Sequence, residues 1–346
     1  MTKKRNELLN IMEAIAAILV VLIHFKFPGE TGNMVTAIAR VSVPFFFAIS
    51  GYFFFRDNAQ KELASIPKKI KKLLLLILCS ECVYFLFYWM LQVDNHGFTV
   101  QALKNVIELE ILKPYHAELA IRLPVFAPPL NGAFWFVGSL VVVYLCIYFV
   151  VKFRYQHVAF IVSLVFLATG FVLRRLLVHW GVSTPFPYER LLPFLPFPFF
   201  MIGYYIHKYQ KALNRIHNSV YCVIFVTGIL AVSLEEHMCR GGGHTLYTGT
   251  LLLVPAMVSF GGKQKEFTAK SWVGKFLSHL GADTGTYLYM LHMMIGNICA
   301  VIASRFLRID PQQELYLWLF PVLVCVASVI CGEVIYTTKQ MLFNKR

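Results

Sequence analysis

Apolar residues in this chain come in long blocks separated by short polar clusters. A helix needs about 20 apolar residues to cross a bilayer, within a range of roughly 17–25. Ten blocks meet or approach that length: near 8–27, 36–55, 73–92, 133–151, 158–178, 191–206, 219–234, 245–261, 285–304 and 315–337. The expected fold is an all-α polytopic membrane protein of about ten transmembrane helices. One transmembrane domain would cover 1–346, with no soluble domain appended.

Composition agrees with the blocks. Of 346 residues, 58% are hydrophobic and 14% are charged, where a soluble domain carries roughly a quarter charged residues. The net charge of +14 would suit nucleic acid if it formed one patch. Instead the basic residues recur in short clusters between apolar blocks, as topology signals do, so no nucleic-acid partner is expected. With the N-terminus inside and the spans alternating, Lys3, Lys4 and Arg5, the six basic residues from Arg56 to Lys72, and the tail Lys339, Lys345 and Arg346 all fall on the inner side. Glu30, Asp94, Glu108, Glu110, Glu118, Glu235 and Glu236 fall outside. Both termini are therefore expected in the cytoplasm, with the bilayer itself as partner. MTKKRNELLN leads into the first block with no small-residue cleavage site before His24, which reads as a retained first span.

The longest outer connection, 93–132, holds a short helical stretch, Val100–Leu112, and a proline-rich end from Pro124 to Pro129. Loops of this length often serve as lids or binding surfaces. A second outer loop, 178–190, carries His179, Pro185, Pro187, Glu189 and Arg190. The inverted repeat of many transporters is missing. Most of the eight cysteines lie inside apolar blocks, and the Cys79/Cys82 pair has no second pair to complete a metal site. Phosphate-loop, dinucleotide and HExxH signatures are also missing. Gly241-Gly242-Gly243 reads as a flexible turn.

Ionisable residues inside spans are expensive and are the first candidates for function. Here they are Glu13, His24, Arg40, Glu81, His292 and Glu333. His24 and Arg40 flank a short Pro/Gly turn between the first two spans. Glu13 lies eleven residues before His24, so the two share one helix face about 16 Å apart. Glu81 and Glu333 also read as hydrogen-bond partners between helices. Ser50-Gly51 reads as close helix packing through small residues, and Tyr52 and Trp135 as interface or core aromatics.

These residues sit in segments that resemble one family. NIMEAIAAILVVLIH, ending at His24, resembles the opening of the membrane acyltransferase-3 family, "LRxIAAxLVVxxH". Arg40 to Phe47 with Ile49-Ser50-Gly51-Tyr52 resembles its "RxxVPxFFxISGY". Phe134-Trp135-Phe136 through Tyr144 is similar to "WFxxxLxxxY", Phe199 to Tyr204 to "FFxxGY", and Tyr287 to His292 to a late "YLxH". The resemblance implies a ten-helix O-acyltransferase that moves an acetyl group from acetyl-CoA to hydroxyls of cell-surface glycans or lipid-linked sugars. It would sit in a bacterial plasma membrane, and a homo-oligomer is compatible with the sequence.

The resemblance also implies that His24 is the catalytic histidine. His24 would take the proton of the acceptor hydroxyl, since an imidazole with a pKa near 6.5 suits that task. Arg40 would stabilise the oxyanion, and Glu13 joins them in the catalytic set. Lys68, Lys69, Lys71 and Lys72 would hold the nucleotide end of acetyl-CoA, with no metal required. Trp135, His292, Glu81 and Tyr52 would belong to the substrate side. Two departures stand out: the family usually has arginine at the position of Glu13, and its Arg-x-x-Arg appears here as Lys69-Ile70-Lys71-Lys72, which keeps the charge without the bidentate fork. FPGETG with RVSVPFFF also resembles the membrane half of the membrane-bound serine racemases of glycopeptide-resistant bacteria. That likeness implies a rival reading, a transporter for a small polar solute such as L-serine.

Overall fold

The computed structural model describes residues 6–112, 127–182, 190–239, 245–264 and 266–343. In chain order its main helices are α1 (Glu7–His24), α2 (Gly29–Ala39), α3 (Ser42–Phe54), α4 (Ala59–His96) and α5 (Val100–Asn105), which continues as a π-helical stretch, Val106–Leu112. Then come α6 (Trp135–Lys152), α7 (Gln156–His179), α8 (Pro196–Lys208), α9 (Asn218–Cys239), α10 (Thr248–Lys263) and α11 (Trp272–His279). A wide π-helical turn, Leu280–Thr284, joins α11 to α12 (Gly285–Val301), and α13 (Glu314–Phe343) ends the series.

Nine of the ten apolar blocks each overlap one of these helices, and the block at 36–55 takes in the end of α2 and the whole of α3. Among the described residues, eight helical segments are long and apolar enough to cross a membrane, so the chain is an all-α multi-pass membrane protein. The blocks at 191–206 and 245–261 form helices of 13 and 16 residues, short of the length a lone crossing needs. The expected helical stretch Val100–Leu112 is present, capped by Thr99, whose side chain accepts the Ala102 N–H at 3.3 Å. The remainder of the 93–132 loop from 113 to 126, positions 183–189 and the three-glycine turn lie outside the described residues.

Two expectations need correction. FPGETG is not a tight turn between spans: Pro28 is extended, and the chain is helical from Gly29 to Ala39. Arg40 caps that helix and α3 begins two residues later, so Gly29–Phe54 is one bent span of 26 residues. Pro44 explains the bend, because it has no N–H to give to the Arg40 carbonyl four residues back. The lysine cluster, in turn, is not in a connecting segment. It lies on the third and fourth turns of α4, a helix of 38 residues and so about 57 Å long, against a hydrocarbon core of about 30 Å. Asn58 starts this extension, its side chain accepting the N–H groups of Gln60 and Lys61 at 2.8 and 3.2 Å.

The chain divides into two compact units, Met1–Phe53 with Ile202–Arg346, and Phe54–Met201. In the first unit, α1 and α12 run side by side in the same direction. Gly281 lies against the backbone of Asn10 near the start of α1, Gly285 meets Ala17, and Gly296 lies against the Phe25 ring just past its end. Ala14, Ala17, Val21, Leu280, Leu288 and Val324 form the apolar core of this contact. Gly203 of α8 sits so close to the Ala48 carbonyl of α3 that a Cβ there would overlap it, a close helix approach through small residues.

The second unit is built on α4 and α6. Phe54, Tyr144 and Phe200 make a buried ring cluster with centroids 5.5–5.8 Å apart. Its α7 leaves Val158, Ile161, Val162, Val165 and Leu173 exposed, an apolar surface suited to lipid.

Candidate functional site

His24 is the last residue of α1, and its side chain is open to the surroundings. Behind it lies His292 of α12, fully buried, with ring centroids 5.2 Å apart and planes tilted by 43°. The parallel packing of α1 and α12 sets this contact. Gly296, one turn beyond His292, admits the Phe25 ring, and Phe25 also meets Phe320 of α13 at 5.8 Å. Tyr289, one turn before His292, lies 5.9 Å from that histidine and 6.3 Å from Phe46 of α3. The His292 Nδ1 is 2.8 Å from the Tyr289 carbonyl oxygen. A carbonyl only accepts, so Nδ1 carries the hydrogen, and the neutral ring presents a lone pair at Nε2. That Nε2 is buried, with no hydrogen-bond partner among the described residues.

Glu13 lies partly buried on α1, on the same face as His24 and three turns below it. Among the described residues no hydrogen bond or ion pair reaches its carboxylate. Arg40, half-buried at the bend between α2 and α3, has its charge within electrostatic reach of the Tyr247 hydroxyl. Tyr247 donates that hydroxyl to Glu236 Oε2 at 2.5 Å, and the neighbouring Glu235 accepts the Thr248 N–H at 2.7 Å. This Tyr247–Glu236 pair around Arg40 carried no signal in the sequence, because it depends on how α9 and α10 meet.

Tyr52 belongs elsewhere in the first unit. Its ring stacks on His207 at 4.4 Å, and its hydroxyl lies over Gly262 beside Gln210. The adjacent Gly261 carbonyl accepts the Asn6 side chain at 2.8 Å. Tyr52 thus stands at the Asn6 end of α1, about 25 Å along that helix from His24, and does not share a site with it. At the same end, His279 bridges Asp283 at 3.2 Å and Glu333 at 3.0 Å, and Glu333 also accepts the Thr284 hydroxyl at 3.0 Å. Glu333 is therefore engaged between helices. His279 and Asp283, with Glu7, Lys275 and Ser278, line a cavity of about 440 Å³.

In the second unit, Glu81 is engaged by backbone. Its two carboxylate oxygens accept the N–H groups of Leu130 and Asn131 at 2.9 and 3.1 Å, and the neighbouring Ser80 hydroxyl accepts from the Asn131 side chain at 3.0 Å. These bonds fix the segment that leads into Trp135. The Arg190 guanidinium lies 5.2 Å from the Trp135 ring centre, a cation–π distance and a partner that the sequence did not single out. Of the lysines, Lys68, Lys71 and Lys72 are exposed, while Lys69 turns inward with its ammonium 5.4 Å from the Tyr144 ring centre. Cys79 and Cys82 are exposed on α4 and unpaired. Among the described residues no group of three His, Cys, Asp or Glu is arranged to hold a metal.

Two chemistries are thus distinguishable. An open imidazole backed by a buried one can take and return a proton. A row of exposed ammonium groups on a protruding helix can hold a polyanion. A family model described as an acyltransferase domain, acyltransferase-3, matches residues 6–337. No curated protein and no solved structure matches.

Proposed function

The chain belongs to the acyltransferase-3 family and is a membrane acyltransferase; from that premise we propose that it transfers an acetyl group from acetyl-CoA to a hydroxyl of a cell-surface glycan or lipid-linked sugar, in a bacterial plasma membrane. The observation that carries this reading is the open His24 ring over a sealed His292. In the proposed step, His24 takes the proton of the acceptor hydroxyl as its oxygen attacks the thioester carbonyl. The tetrahedral oxyanion is stabilised by Arg40. It collapses by breaking the C–S bond, and the CoA thiolate leaves with the proton held by His24. A carbon–oxygen ester replaces a carbon–sulfur one, with no change in oxidation.

Lys68, Lys71 and Lys72 are the groups we assign to the phosphates of the donor. Compact ammonium charges on a flexible stem suit phosphate without fixing its orientation. Trp135, beside Arg190 and just after the segment that Glu81 holds, is assigned to the acceptor. A rival reading, transport of a small polar solute, is favoured by one observation, the Glu13 carboxylate that no partner among the described residues neutralises. Purified protein in vesicles separates the two. Radiolabelled acetyl-CoA should yield hydroxyl-borne ester on a glycan acceptor, and uptake of L-serine without acetyl-CoA, with no ester formed, would replace transfer by transport.

A further inference from the structure

The His24–His292 pair holds an unspent acceptor. His292 is fully enclosed, so it does not reach an acceptor molecule itself, and whatever it does passes through His24. Its own proton is committed to the Tyr289 carbonyl, and among the described residues its Nε2 lone pair has no donor. A buried polar atom left unpaired is costly, and an atom of this kind is retained where something comes to it. Two imidazoles joined by an N–H···N bond of ~2.9 Å have centres ~5 Å apart. The observed separation is 5.2 Å with the ring planes tilted by 43°, a tilt that such a bond tolerates, because the N–H must lie along the acceptor's lone pair and the two rings need not be coplanar.

We propose that His292 is the positioning residue for His24: its Nε2 accepts an N–H from the His24 ring and thereby leaves the other His24 nitrogen unprotonated as the base. The logic is one of linked tautomers. The Tyr289 carbonyl fixes hydrogen on His292 Nδ1, His292 Nε2 then fixes hydrogen on the facing His24 nitrogen, and the lone pair of His24 is directed at the substrate. When His24 takes the substrate proton it carries two N–H groups, and the one held by His292 keeps the imidazolium oriented until the thiolate leaves. No proton leaves His292. A carboxylate does this work in the Ser-His-Asp arrangement; here the orienting group is neutral, as an apolar interior favours. Towards the His24 end, the ionisable groups on the adjoining elements include Glu13 and Lys26 on the α1 side, Arg40 at the α2–α3 bend, Tyr289 and Cys299 on α12, and Tyr316 and Cys325 on α13.

The inference rests on the acyl-transfer reading, so its test has one arm that does not. In vesicles, His292→Leu should lower kcat about tenfold to a hundredfold with KM little changed. His292→Gln places an amide oxygen near the Nε2 position and should recover most of that loss. Combined with His24→Ala, His292→Leu should cost nothing further, since the two act as a unit. A kcat for His292→Leu within twofold of the unsubstituted protein, or a His292→Gln as slow as His292→Leu, would overturn the proposal. The second arm is the ring ¹⁵N spectrum of histidine-labelled protein. His292 should appear as the Nδ1–H tautomer, with an Nε2 resonance that moves on His24→Ala. If no transfer to any hydroxyl is seen but this signature is, the acyl-transfer reading falls and the pairing stands. An Nε2 resonance indifferent to His24→Ala sinks the pairing whatever the enzyme does.

Discussion

At the Asn6 end of α1 the polar side chains are engaged. Asn6 caps the helix and donates to the Gly261 carbonyl, Glu7 accepts the Ala269 N–H at 2.8 Å, and Asn10 donates to the Ser278 hydroxyl at 3.4 Å. At the other end of the same helix, the exposed His24 lies 5.2 Å from a buried histidine whose Nε2 has no hydrogen-bond partner among the described residues. Both ends belong to one unit and pack against the same run of chain, α11 through α12. What separates them is satisfaction: closed hydrogen bonds hold the fold, and an open acceptor beside an accessible base leaves room for chemistry. Glu81 and Glu13 repeat the lesson, the first filled by two backbone N–H groups and the second by none among the described residues.

That contrast can be broken in graded steps. Arg40→Met should lower the rate of acetyl transfer by about 10²–10³-fold if the guanidinium meets the oxyanion, measured as ester formed per minute in vesicles at saturating donor. Gly296→Val drives a side chain into the Phe25 ring and should move His24 off His292. Both transfer rate and thermal midpoint should fall, the second by the ~1–3 kcal/mol of an overpacked core. Replacing Lys68, Lys71 and Lys72 by Gln should raise KM for acetyl-CoA roughly tenfold, from three exposed pairs of ~0.2–1 kcal/mol each, while kcat stays near its starting value. Asn10→Ala is the smallest change, a loss of ~0.5–1.5 kcal/mol in stability with transfer kinetics untouched.

Much of this contrast was legible in the chain and some was not. His24, Arg40 and Glu13 stand out because a charge or an imidazole inside an apolar block is conspicuous in any sequence. The eight long helical segments were readable for the same reason, since block length maps directly onto bilayer thickness. The bend at Arg40 was not read, although Pro44 encodes it, because a run of apolar residues looks alike whether the helix is straight or interrupted. The pairing of His24 with His292 lies deeper still. It needs α1 and α12 packed in parallel, a long-range choice made by Gly281, Gly285 and Gly296 and invisible to local periodicity. Glu81 shows the opposite failure. Its residue type signalled function, while its use, holding Leu130 and Asn131, depends on backbone N–H groups that have no letter of their own.

The central claim is that the His24 end of α1 carries the chemistry and the Asn6 end carries the fold. It is tested most directly by comparing His24→Ala with Asn10→Ala in the same vesicles, reading acetyl transfer and thermal midpoint for both. The expected result is a His24→Ala protein that melts like the unsubstituted one and transfers about 10²–10⁴-fold more slowly, beside an Asn10→Ala protein that melts lower and transfers at the normal rate. A His24→Ala protein that still acetylates its acceptor at the original rate would contradict the account.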